Sequence, residues 1–253
     1  MERNPLIVVS SRLDDVKSDN RGSNPAQNAP SIVTAWHRAK EADVGCTIVD
    51  CHDEAIAEAV QDAGAYSVIS DLSEIPRTHN YKPPSGLARV AQTVTKFDRF
   101  CNHDLIIHMP EHYCEIDPKY LRALMYPLSS TDVGMATLAA PLGTGTEDDS
   151  PKISVVWNED RKVYVMPEAK VGTITNFSRR LSVLGAADIY QHIPVYIYRR
   201  SALDRIVRVP PSERELNENI EALRVLDYGL RVDALFVPEG VPSSMNDSRA
   251  IYD

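Results

Sequence analysis

The segment from Tyr190 to Val232, YQHIPVYIYRRSALDRIVRVPPSERELNENIEALRVLDYGLRV, leaves this chain few architectures. His192 to Tyr198 alternates as a strand does, and Ala202 to Val207 supplies a short helical turn. Pro210, Pro211 and Ser212 form the start signal of a longer helix, with Glu213 and Glu215 in its first turn, where the helix dipole favours anions. Ile220, Leu223, Leu226 and Leu230 recur at helical spacing and give that helix an apolar face. Gly229 ends it, and Val232 to Val237 reads as the next strand. A strand, a short helix, a long helix and a strand in this order belong to a sheet covered by helices.

The N-terminal part has the same character. Leu6 to Ser10 is a short apolar strand that runs into a polar stretch, Ser11 to Pro30. A long loop after the first strand of an α/β sheet lies at the carboxyl edge, where such folds bind ligands. Ser31 to Ala42 is an amphipathic helix, Cys46 to Asp50 a second strand, Cys51 to Gly64 a helix and Tyr66 to Ile69 a third strand. This alternation implies parallel pairing with right-handed crossovers. Ser85 and Gly86 open another helix with free backbone N–H groups, and Arg89 follows one turn later. Asp104 to Met109 and Val133 to Leu142 are strands on either side of a helix over Tyr120 to Leu128. Ile153 to Trp157 and Val163 to Met166 read as a hairpin around Asn158 to Lys162.

Composition narrows the function classes. Of 253 residues, 43% are hydrophobic and 25% charged, which suits one globular α/β domain spanning residues 1 to 253. A net charge of −9 argues against a nucleic-acid duplex as the main partner, although a local basic patch is compatible with a nucleotide triphosphate. No apolar run approaches the ~20 residues that cross a bilayer, and no signal-peptide core is seen, so no membrane partner and a cytoplasmic location are expected. Cys46, Cys51, Cys101 and Cys114 form no C-x-x-C pair and read as reduced structural thiols. His103, His108 and His112, with Cys114 and Glu115 nearby, suggest a transition-metal site only weakly. An i, i+4 pair shares a face on a helix, and this segment leaves a strand.

Three pieces of the C-terminal half, H-I-P-V-Y-I-Y-R-R-S-A-L from His192, P-P-S-x-x-E from Pro210 and E-A-L-R-V-L-x-Y-G from Glu221, occur together in a characteristic order. In this the chain resembles the 3-deoxy-manno-octulosonate cytidylyltransferases, which activate a sugar acid for lipopolysaccharide. The resemblance extends from Leu6 to the last residues and is strongest over Val133 to Leu142 and His192 to Val237. It implies a mixed, mainly parallel sheet flanked by helices, of the nucleotide-diphosphosugar transferase type. A small β-rich dimerisation arm is expected near residues 150–200, because Ile189, Tyr190, Val195, Tyr196 and Ile197 offer more apolar surface than one sheet face hides.

The resemblance also assigns roles. Arg12, Lys17 and Arg21 fall on the basic positions of the family's phosphate loop, whose Ser, Pro and Gly are replaced by Asp15, Asp19 and Asn20. The same loop read without the family is a solvated, mixed-charge surface. Ser85, Gly86 and Arg89 match a segment that contacts the nucleotide, or else form a plain helix cap with a surface arginine. His192 and Glu215 lie on the sugar-acid side. The family's Q-G-D-x-P supplies a magnesium-ligating Asp where this chain has Pro110 to Cys114, with His112 on the Asp position. Mg2+ prefers hard oxygen ligands, so His112 implies another divalent metal. Asp247 is aligned with a second magnesium Asp and reads alternatively as a helix cap. The family's Lys on the first arm strand and its F-S-R after the second are replaced by Ser154 and Met166-Pro167-Glu168, so two substrate-facing cations are expected to be missing. Two readings follow. One is a CTP-dependent enzyme making a CMP-sugar and pyrophosphate with Mg2+, as a homodimer. The other is a catalytically impaired relative that binds nucleotide or sugar, or regulates an intact paralogue as its dimer partner.

Overall fold

The computed structural model of the chain describes residues 4–11, 25–73, 86–142, 150–184 and 188–241. β1 (Pro5–Ser10) is apolar at consecutive positions because both its faces are covered: Leu6 and Val8 enter one core, Ile7 and Val9 the other. Next come α1 (Pro25–Glu41), β2 (Cys46–Cys51), α2 (Glu54–Asp62) and β3 (Tyr66–Ile69). Ser31 is internal to α1, which begins at Pro25, a residue suited to a first helical turn. Asp53 caps α2 by accepting the Ile56 N–H at 2.8 Å. α3 (Gly86–Phe97) leads to β4 (Leu105–Pro110), and α4 (Pro118–Ala123) is cut short by the separate 3-10 turn that opens at Pro127.

The second half contains β5 (Val133–Ala140), β6 (Lys152–Asn158), β7 (Val171–Ser178), α5 (Leu181–Leu184) and β8 (Ile189–Arg199). Then come α6 (Arg200–Ile206), α7 (Glu213–Glu218), α8 (Ala222–Asp227) and β9 (Arg231–Phe236). The long helix expected over this last stretch is two helices. Asn219 takes a left-handed conformation, φ 52°, at the end of α7, and α8 restarts beyond it. Gly229, φ 75°, ends α8 as the sequence indicates.

All strands form one sheet of nine in the order β3-β2-β1-β4-β8-β5-β9-β7-β6, with β6 returning to pair β8. β1 to β4 are mutually parallel, and β8 is antiparallel to both β4 and β5, so β1 to β5 and β9 run the same way. Their carboxyl ends therefore share an edge. Helices α1, α2 and α4 pack on one face, and α3, α6 and α8 on the other.

The arm departs from the hairpin read in the sequence. β6 pairs with β7, not with Val163 to Met166. Residues 159–170 form a connection whose Val163, Met166 and Ala169 turn inward to the core, while Arg161 ties it to the buried Asp233 and to the Pro127 carbonyl at 2.8 Å. The apolar residues named for the arm are also already covered. Val195, Tyr196 and Ile197 are buried because β8 is an interior strand, and Ile189 and Tyr190 are half-buried. The exposed apolar side chains of this region are Val156, Tyr164, Val165, Leu181 and Val183.

Gly172 permits the β6–β7 contact. A Cβ there would lie 2.5 Å from Val155 Cγ1 and 2.7 Å from the Val156 carbonyl oxygen. Gly172→Ala is therefore expected to destabilise the fold by about 1–3 kcal/mol through overpacking. Urea unfolding checks this, and an unchanged midpoint would count against such close packing.

Candidate active site at the carboxyl edge

The carboxyl ends of β1, β2 and β4 meet around a buried ion pair. Arg89, one turn into α3, places Nη2 2.6 Å from Asp50 Oδ2 near the end of β2, and both side chains are almost fully buried. Asp50 Oδ1 also accepts from Thr93 Oγ1 at 2.9 Å and from the Ser70 hydroxyl. Burial pushes the Asp50 carboxyl up, against the pull of Arg89 and the two hydroxyls. Arg89 Nη1 donates to the Ser11 carbonyl at 3.0 Å. This residue thus joins α3, β2 and the point where the chain leaves β1.

Two serines end β1, and each meets a histidine from a neighbouring strand. Ser10 Oγ lies 2.8 Å from His108 Nε2 on β4, and Ser11 Oγ lies 2.9 Å from His52 Nδ1 beyond β2. His108 is held down to about 3 by burial first, then by the charges of Arg89 and His112, so it is neutral at physiological pH. His112 belongs to the 3-10 turn Glu111–Tyr113 that follows β4, and its ring packs on Tyr113 at 4.3 Å. His103 lies apart from this edge, paired with Asp98 at 3.2 Å. Cys51 has its thiol pushed up to about 12, first by burial and then by Asp50 and Asp53. All four cysteines are unpaired thiols.

Farther along the same edge, His192 sits near the start of β8 beside β5. The Thr137 hydroxyl lies 2.9 and 3.0 Å from the Ile193 and Val195 carbonyls and 3.1 Å from His192 Nε2. With the hydroxyl proton on a carbonyl, Nε2–H donates to Thr137 and Nδ1 is left as a buried acceptor without a partner. Burial first, then Arg179, holds His192 down to about 3. Glu215 has a different post. It closes the capping box of α7 with Ser212 and accepts from Arg224 Nε at 2.7 Å, fully buried. Gly86 opens α3, and the Leu87 N–H beside it donates to Glu221 at 2.9 Å. Arg12, Lys17, Arg21, Ser85 and Asp247 lie outside the described residues.

No family model matches the chain. A 3-deoxy-manno-octulosonate cytidylyltransferase of Rhodospirillum centenum is 33% identical over 98% of this chain and 92% of its own length. The protein of the same name from Methylobacterium radiotolerans is 30% identical over 98% and 96%. This chain belongs to the 3-deoxy-manno-octulosonate cytidylyltransferase family. Among solved structures, a CMP:2-keto-3-deoxy-manno-octonic acid synthetase complexed with CTP has a TM-score of 0.69 at 20% identity, over 95% of this chain and 93% of that one. A UDP-glucose pyrophosphorylase has a TM-score of 0.54 at 11% identity. Both likenesses concern the fold, and they bear out the mixed sheet flanked by helices.

Seen as a cytidylyltransferase, the chain keeps more of the family pattern than its sequence first suggests. The strand that pairs β6 is β7, and an F-S-R, Phe177-Ser178-Arg179, stands at its end, in place of the Met166-Pro167-Glu168 read in the sequence. Arg179 is anchored there by the Glu218 carbonyl at 2.8 Å and the Asn219 carbonyl at 3.1 Å. After β9, Val237-Pro238-Glu239-Gly240-Val241 fits the family's V-P-x-G-V, with Gly240 in a left-handed turn, φ 70°. In that register the acidic position falls on Pro242 rather than Asp247. Among the described residues no group of three or more His, Cys, Asp and Glu side chains is placed to hold a metal ion. His112 lies in the 3-10 turn that follows β4, and Asp50 is engaged by Arg89. The described residues do not fit a magnesium site.

The two buried neutral histidines set a pH dependence of stability. Their folded pKa values, about 3, lie below the ordinary 6.5. Stability is therefore complete above pH 6.5 and is lost as pH falls from there towards 3, by about 1.4 kcal/mol per pH unit for each histidine. Urea midpoints measured from pH 7 to 4 are expected to fall less steeply in His192→Asn than in the parent. Equal slopes would show that His192 is not held neutral.

Proposed function

We propose that this chain transfers the cytidylyl group of CTP to a 3-deoxy-octulosonate-type sugar acid, releasing pyrophosphate, as a step of lipopolysaccharide synthesis. The observation that carries this reading is the 33% identity with a named cytidylyltransferase over 98% of the chain. In this reading CTP lies along the carboxyl edge of β1, β2 and β4, with its phosphates beside the loop bearing Arg12, Lys17 and Arg21. Charge-assisted contacts from such a loop would offset the phosphate charge that grows in the transition state. The sugar acid is assigned to the part of the edge that bears His192, whose Nδ1 has no hydrogen-bond partner among the described residues. The reaction is assigned to the cytoplasm. No helix among the described residues is long and apolar enough to cross a membrane.

A second reading rests on the alignment of His112 with the family's carboxylate and on the lack of a metal cluster among the described residues: a nucleotide- or sugar-binding subunit without turnover. Titration calorimetry with CTP, paired with a pyrophosphate-release assay containing the sugar acid and Mg2+ or Mn2+, separates the two. Pyrophosphate released in step with CMP-sugar is the expected result. CTP binding without release under either metal would leave the binding subunit, and no heat at millimolar CTP would remove both the enzyme and the nucleotide-binding subunit.

The assembly assigned to the chain is a homodimer, or a dimer with an intact paralogue, through the exposed Val156, Tyr164 and Val165 of the arm with Leu181 and Val183. A stable interface buries more than ~1,000 Å2 in total. Light scattering at ~10 μM is expected to give a dimer, and Tyr164→Asp combined with Val165→Asp a monomer. A parent that is monomeric at that concentration would overturn the assignment.

A further inference from the structure

Ser11 is the residue from which the polar loop departs, and every polar atom it has is held. Its N–H donates to the Asp50 carbonyl at 2.9 Å, its carbonyl accepts from Arg89 at 3.0 Å, and its hydroxyl meets His52 Nδ1 at 2.9 Å. The first two ties come from groups that are themselves buried. The third comes from a half-buried imidazole whose other nitrogen, Nε2, lies 3.2 Å from Asp53 Oδ2. A carboxylate only accepts, so the tautomer with its proton on Nε2 faces Asp53 and offers Nδ1 as the acceptor of the Ser11 hydroxyl. Asp53 is also the cap of α2, through Ile56 N–H. Polar contacts thus run from Ser11 through His52 and Asp53 to the first turn of α2.

We propose that His52 is a positioning residue for nucleotide binding, fixing Ser11 at the carboxyl edge where β1 ends. This rests on the cytidylyltransferase reading for the identity of the ligand, CTP. The bond is made by Nδ1, so its chemistry is separable from the bulk of the ring. In His52→Asn the side-chain amide falls near the place of Nδ1 and its oxygen can accept the Ser11 hydroxyl. In His52→Gln the amide falls near the place of Nε2 and the bond is lost.

Both variants keep a polar side chain of similar size, and two measurements on the full chain compare them. The dissociation constant for CTP is expected to rise about tenfold in His52→Gln and to stay within about twofold of the parent in His52→Asn. In turnover, the same loss should appear in KM for CTP rather than in kcat. The second readout, hydrogen exchange of the Ser11 amide, needs no ligand. Exchange is expected to accelerate in His52→Gln and in Ser11→Ala, and to remain at the parent rate in His52→Asn. Equal behaviour of the Asn and Gln variants in both measurements would overturn the proposal, as would Ser11 exchange that neither substitution alters. Should the parent chain bind no CTP, the functional reading falls, while the exchange data still decide whether His52 holds the loop's root.

Discussion

The Asp50–Arg89 ion pair is the interaction on which the rest of the edge depends. A carboxylate and a guanidinium removed from water are tolerable only when each keeps further partners. Asp50 has Ser70 and Thr93, and Arg89 has the Ser11 carbonyl. Because these partners come from β3's end, α3 and the root of the first loop, satisfying the pair fixes the relative positions of all of them. It also withdraws Arg89 from solvent, so any nucleotide contact there is made by the surfaces it orients rather than by an open guanidinium. A second buried carboxylate is treated similarly: Asp233 on β9 receives Arg161, Arg231 and Thr173, and so pins the arm to the sheet.

Much of this fold could be read from residues alone, because its strongest signals are local. The apolar run of β1, the Pro-Pro-Ser-x-x-Glu capping box and the left-handed Gly229 each follow from a few neighbouring side chains. What misled the reading was pairing across sequence distance. Val163 to Met166 has the composition of a strand, but Val163 and Met166 turn into the core beside the tether at Arg161, and β7 pairs with β6 instead. Asn219 carried a signal too, as a residue that tolerates positive φ, yet Ile220 and Leu223 continued the helical spacing across it and concealed the break.

The candidate site was legible in a similarly uneven way. Gly86, Arg89 and His192 are all found at or beside the carboxyl edge, while Glu215 is a cap and an ion-pair partner inside the C-terminal helices. His52 and Ser11 drew no notice in the sequence, because a histidine next to an aspartate in a loop start has no distinctive spacing. Only the parallel pairing of β1 with β2 brings them together. Phe177-Ser178-Arg179 was visible as letters throughout, and could be recognised only when the correct strand was known to precede it.

The double pairing of β6 affects how the molecule meets other chains. By hydrogen-bonding β7 along its length and β8 at its start, β6 curls the sheet back upon itself and offers little free backbone at that end. The opposite margin is β3, only four residues long, paired on one side by β2. Short margins make poor templates for strand addition by a neighbouring molecule. Among the described residues the nine-stranded sheet therefore offers only short free ladders, at β3 and at the second half of β6, on which intermolecular β-aggregation can begin.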